Sequence, residues 1–106
     1  MQKAVFEILT WESKEQSSDA DMLHAMQQLS QLVKDLPGFL HQSLYKNAAA
    51  QWVCIYFWES EQAAHASNHA VAEEPIFHQL MSLIKAETVT MEVMSVLQHE
   101  GSLRFA

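Results

Sequence analysis

The chain has 106 residues, 49% of them hydrophobic and 18% charged, the size and make-up of one core-forming domain rather than a disordered segment. Six Lys and Arg stand against thirteen Asp and Glu, a formal net charge of −7 with no basic cluster, which argues against nucleic acid and anionic membrane surfaces as partners. The one cysteine, Cys54, rules out an internal disulfide, and no apolar run approaches ~18 residues, so neither a signal peptide nor a membrane span is expected and the default location is cytoplasmic.

Residues 4–11 alternate as a strand. Phe6 and Ile8 lie on one side, and Val5, Glu7, Leu9 and Trp11 on the other. A polar stretch leads to Ser17 and Ser18, either of which can cap a helix whose first turn carries Asp19 and Asp21. That helix is expected from about Asp19 to Asp35. Met22, Met26, Leu29, Val33 and Leu36 form one apolar stripe, and Pro37-Gly38 stops it. Residues 39–46 read as a second strand, with Phe39, His41, Ser43 and Tyr45 on one side and Leu40, Gln42 and Leu44 on the other. A short connection from Asn47 implies an antiparallel return.

The third strand, residues 51–59, is apolar on both faces. Val53, Ile55 and Phe57 point one way, and Trp52, Cys54, Tyr56 and Trp58 the other, so both faces must be covered. Ser60 caps a helical region in which Ala63, Ala66 and Ala70 suggest the inner stripe. Pro75 opens a second segment with Ile76, Leu80, Leu83 and Ile84 turned inward, flanked by Phe77 and Met81. Residues 87–97 return to period two, with Val89, Met91, Val93 and Leu97 on one side; residues 98–106 read as a loosely held tail. Without an internal repeat or linker, one domain spanning 1–106 is expected.

Four strands and two helical regions make a two-layer α+β sandwich. Helices cover one sheet face only, so one of the two residue sets of the third strand has no helix over it. Leaving Trp52, Tyr56 and Trp58 in water would forgo ~1.5–3 kcal/mol for each. Face-to-face pairing with a second copy, a homodimer, seals such a surface.

A helix ending in Pro37-Gly38-Phe39, followed by a hairpin and by Trp52-Val53 running into Trp58-Glu59-Ser60 with Ala63 and Ala64 behind it, resembles the antibiotic-biosynthesis-monooxygenase-like group of the dimeric α+β barrel superfamily. The likeness covers about residues 3–97. It implies a ferredoxin-like βαββαβ monomer, a four-stranded antiparallel sheet with helices on one face, a shared barrel and a cavity between sheet and helices. The group includes cofactor-independent oxygenases of aromatic polyketides, quinol oxygenases and haem-degrading enzymes. The haem-degrading branch depends on an Asn in the first strand and on a Trp and a His in the second helical region. Here the first strand has no Asn and residues 61–84 have no Trp, so that triad is incomplete. The reading that follows is a monooxygenase that needs no cofactor and acts on a small hydrophobic or aromatic molecule. The alternative is a non-catalytic ligand-binding or stress-response module, for which Met22, Met26, Met81, Met91 and Met94 supply an adaptable pocket.

Acid–base candidates are Glu7, a carboxylate between Val5 and Leu9; His41, among Phe39, Ser43 and Tyr45; and His78, beside Phe77. Trp11, Trp52, Tyr56, Trp58 and Phe77 can stack on an aromatic ligand or pack in the core. Glu61, His65 and His69 follow one another at helical-turn spacing, but they sit off the expected inner stripe and read as a solvated face, so no metal is expected. Two glycines leave no room for a nucleotide loop.

Overall fold

In the computed structural model, residues 3–101 are described. The elements are β1 (Val5–Trp11), α1 (Asp19–Val33), β2 (Phe39–Lys46), β3 (Trp52–Trp58), α2 (Glu61–Ala72), α3 (Pro75–Met81), a 3-10 turn at Ala86–Thr88 and β4 (Thr90–Ser95). They build one antiparallel sheet in the order β2-β3-β1-β4. Each crossover, β1-α1-β2 and β3-α2-α3-β4, skips one strand. This is the ferredoxin-like arrangement, with α1, α2 and α3 laid on a single sheet face.

Local chemistry sets the boundaries. Ser18 caps α1: its hydroxyl accepts from the Asp21 N–H, and Asp21 returns a bond to the Ser18 N–H, closing a capping box. Met22, Ala25, Met26, Leu29 and Val33 are buried on its inner stripe. Ser60 caps α2 with a single bond, its hydroxyl accepting from the Ala63 N–H, and Pro75 opens α3 at a position where no N–H is needed. Gly38 takes φ +84°, and a β-carbon there would stand 2.5 Å from the Ala63 Cβ. Its carbonyl accepts from the Glu59 N–H at 2.8 Å. The Pro-Gly-Phe turn and the Trp-Glu-Ser junction therefore dock on each other, and that contact fixes where β2 and α2 both begin.

The closed face carries Val5, Glu7 and Trp11 of β1 and Trp52, Cys54, Tyr56 and Trp58 of β3, all buried. The aromatics whose exposure the sequence reading set against pairing are thus sealed by the chain's own helices. Val53, Ile55 and Phe57, only half buried, have no helix over them. Phe6 and Ile8 pair with Phe57 and Ile55 on the same side.

Three expected placements are corrected. Phe39 does not share a face with His41: the register shifts between them, a bulge that leaves Leu40 50% exposed, and Phe39 packs edge-on against Trp58. In α2 the buried positions are Ala64 and Ser67, not Ala66 and Ala70. The last strand ends at Ser95, so Leu97 lies beyond it and is largely in water. Of the tail read at 98–106, residues 102–106 lie outside the described residues, as do Met1 and Gln2.

Candidate functional site

A cavity of about 390 Å³ lies between the closed sheet face and the helices. Its floor is Glu7, Leu9 and Trp11 from β1 with Cys54, Tyr56 and Trp58 from β3. Met26, Leu29 and Val33 of α1 form one wall, and Phe77, Leu80 and Met81 of α3 another. Ser67, Asn68 and Val71 of α2 face Met91 of β4 and Val89 at the rim. The walls are almost wholly apolar, so each polar group among them must be accounted for.

Glu7 is the central one. It is 1% exposed. Its Oε1 accepts from the Trp58 indole N–H at 3.0 Å, and its Oε2 accepts from the Asn68 amide at 3.2 Å. Among the described residues no cation pairs with it; the three ion pairs are all at the surface. Two neutral donors hold the carboxyl, and each oxygen keeps a lone pair for a ligand's hydroxyl. The Asn68 amide also lies 3.8 Å from the Met91 sulfur. Asn68 went unnoticed in the sequence, because a lone amide in an alanine-rich helix carries no pattern; its meaning comes from a carboxyl 61 residues away.

Cys54 and Tyr56 both line the same space, and burial pushes both the thiol and the phenol up from their ordinary values. The Gln42 amide donates to the Cys54 sulfur at 3.3 Å. Both groups therefore stay neutral through the physiological range. Tyr56 stacks on Trp58 with ring centroids 5.7 Å apart.

Three indoles are buried on this face. Trp58 donates to Glu7, and Trp52 donates to the Ser13 hydroxyl at 2.8 Å. The Trp11 Nε1, also buried, has no acceptor among the described residues.

Of the residues singled out in the sequence, Glu7, Trp11, Tyr56, Trp58 and Phe77 thus line one cavity. Trp52 is buried beside it, under the Lys46 ammonium at 4.9 Å from the ring centroid. His41 lies on the other sheet face, opposite Phe57, where its Nε2 meets the Ser43 hydroxyl at 3.1 Å. His78 is exposed on α3, its ring edge-on to that of Phe77 with centroids 6.2 Å apart, and it does not line the cavity. Neither histidine shares the space of Glu7. His65 and His69 are exposed, and His65 reaches only Glu61, at 3.4 Å. Among the described residues no group of three or more His, Cys, Asp or Glu is placed to hold a metal ion.

The fold recurs in known structures. SnoaB, a cofactor-independent oxygenase from Streptomyces nogalater, superposes with a TM-score of 0.72 at 16% identity, over 92% of this chain and 96% of that one. A candidate antibiotic biosynthesis monooxygenase from Nitrosomonas europaea gives 0.73 at 14% identity, over 95% and 97%. Rv0793 from Mycobacterium tuberculosis gives 0.72 at 14%, over 92% and 99%. The chain has the antibiotic-biosynthesis-monooxygenase-like fold. At these identities the likeness is one of fold. No family model matches the chain, and no curated protein matches it in sequence. No helix is long and apolar enough to cross a membrane.

Proposed function

We propose that this protein is a cytoplasmic, cofactor-independent monooxygenase that works as a homodimer on a hydrophobic aromatic molecule held between sheet and helices. The observation that carries the reading is Glu7, a carboxyl buried in an apolar cavity of about 390 Å³ and held by Trp58 and Asn68. That volume falls in the ~300–1,000 Å³ range of small-molecule sites and exceeds what one benzene ring fills. In this reading Glu7 takes a proton from a phenolic or benzylic position as the substrate enters. The resulting anion gives electrons to oxygen and a C–O bond forms. A ring CH₂ and O₂ become a ring C=O and water, both hydrogens leaving in the water. Trp58 and Asn68 hold the carboxyl in place. Phe77 and Tyr56 bound the ring.

The test is oxygen uptake with a panel of anthrones and quinols, with a chelator present throughout. Turnover should survive the chelator and fall by ~10²–10⁴ in Glu7→Gln. A panel in which every bound ring stays unoxidised overturns the reading. Met26, Met81 and Met91 on the cavity wall favour a second one, an adaptable binding module without turnover. That module would gain melting temperature with ligand and consume no oxygen.

A further inference from the structure

We infer that Met91 is an oxidation site at the rim of the cavity and that its sulfoxide works as a latch. The new oxygen takes the second side-chain N–H of Asn68 and ties β4 to α2 across the mouth. Nothing in this requires the cavity to turn over a substrate.

The first observation is exposure. Met22 and Met26 are buried, and Met81 is half buried against the core. Met94 is 39% exposed but pairs with Phe6, on the open sheet face that the proposed dimer would cover. Met91 is 51% exposed, the most of any methionine among the described residues. It pairs with Leu9 on the closed face and lines the cavity at its rim, so a second copy on the open face leaves it reachable. A thioether oxidises where an oxidant can reach it.

The second observation is what the sulfur touches. The Asn68 amide nitrogen donates to the Glu7 Oε2 at 3.2 Å and lies 3.8 Å from the Met91 sulfur. That nitrogen carries two hydrogens, one for each neighbour, and a thioether is a weak acceptor that holds the second loosely. Hydrogen peroxide changes the acceptor. A sulfur lone pair attacks one peroxide oxygen, the S–O bond forms and the O–O bond breaks. Sulfur gives up two electrons, and the other oxygen leaves as water with both protons. The sulfoxide is polar, and the three rotatable bonds of the side chain let its oxygen turn to the amide. The bond to Glu7 uses the other hydrogen and stays. A loose contact at 3.8 Å thus becomes an ordinary hydrogen bond of ~2.9 Å between α2 and β4.

The test titrates the full chain with hydrogen peroxide and follows it by peptide mass mapping and by the NMR signals of the asparagine side-chain amides. Met91 should gain one oxygen atom before Met22, Met26 and Met81 do. As it does, the Asn68 N–H that faces Met91 should move downfield and exchange with water about fivefold more slowly, the worth of one net hydrogen bond. The N–H on Glu7 should keep its position. The two epimer-specific methionine sulfoxide reductases, added together, should reverse the shift. Met91→Leu, a conservative change at an exposed edge position, should leave the Asn68 signals unmoved by the same dose, and Met94→Leu should respond as the wild type does. Oxidation that takes the buried methionines first overturns the inference. So does a Met91 sulfoxide that leaves Asn68 unmoved, or a shift that persists in Met91→Leu. Neither readout uses oxygen uptake, so the oxygenase reading is decided separately.

Discussion

Consecutive residues of β3 live in two different environments. Trp52, Cys54, Tyr56 and Trp58 are sealed beneath helices, while Val53, Ile55 and Phe57 are half buried on a face with no helix over it. The closed face surrounds a cavity in which Glu7 has two donors, while among the described residues the Trp11 indole Nε1 and, on α1, the Gln28 Oε1 are buried without a partner. The open face carries Phe6, Ile8 and Ile55 beside a polar ladder in which His41 meets Ser43 and Ser43 donates to Tyr45. Both faces hold large apolar side chains, so size did not decide which one the helices cover. Connectivity did: each crossover joins parallel strands across one intervening strand, and the single hand that strand twist favours for such connections puts α1 and the α2–α3 segment on the same side. One face is finished within the chain, and the other is the face that the proposed dimer would cover.

The largest effect should come from charging the open face. Ile55→Glu puts one carboxylate per copy into the middle of the proposed contact, where it meets no cation and faces its own mate. Breaking a contact this way costs ~3–5 kcal/mol, so association should weaken by about a thousandfold. The monomer itself should fold nearly as well as the wild type, because Ile55 is already half wet. Sedimentation separates these outcomes: a variant that still forms dimers means the copies meet elsewhere.

Next comes the contrast between neighbours. Trp58→Ala removes a side chain that is 1% exposed and takes the donor from the Glu7 Oε1, and should cost ~3–5 kcal/mol of unfolding free energy. Phe57→Ala, one residue earlier, should cost the isolated chain markedly less and fall mainly on association. Denaturant titrations at low protein concentration test the pair. Equal losses would show that the two faces are not different in kind.

Gly38→Ala comes third. It forces φ +84° on a residue with a β-carbon and drives that carbon against Ala63. Strain of ~1–2 kcal/mol and overpacking of ~1–3 should together lower stability by about 3 kcal/mol. Adding Ala63→Gly relieves the clash and leaves the strain, so the double variant should recover only part. Full recovery would mean that the turn's backbone is not held by the closed face.

Much of this fold was legible because alternation and stops are local. The capping serines, Pro37-Gly38, Pro75 and the period-two run of β3 mark nearly every element. The features missed depend on distant partners. Ser67 is buried because its hydroxyl returns to the Ala64 carbonyl at 2.6 Å, a satisfied polar group that an apolar pattern does not register. The alanines at 66 and 70 looked better and face water. The bulge at Leu40 breaks the strand parity that would have placed Phe39 with His41. Within the candidate site, Glu7 stood out as a carboxylate among apolar neighbours. Its two donors, Trp58 and Asn68, are visible only once α2 lies over β1. The unpartnered Trp11 indole is a property of the assembled cavity, and no reading of residue types would find it.

The smallest effect sharpens the comparison through pH. Burial raises the Tyr56 phenol well above its ordinary value of 10.0 and the Cys54 thiol above its ordinary 9.0. An acid whose folded pKa lies above its unfolded one keeps its proton longer in the native state. Its contribution to stability is fully present below the unfolded pKa and is lost as pH climbs through the folded one. The closed face should therefore leave stability unaffected up to about pH 9 and lower it beyond that, each group adding at most about 1.4 kcal/mol per pH unit. Tyr56→Phe removes one of the two protons, so its decline above pH 10 should be shallower than the wild type's by up to that amount. The difference between the two slopes isolates Tyr56 from every surface lysine that titrates in the same window. Identical slopes would mean that solvent reaches the phenol and that the closed face is not closed.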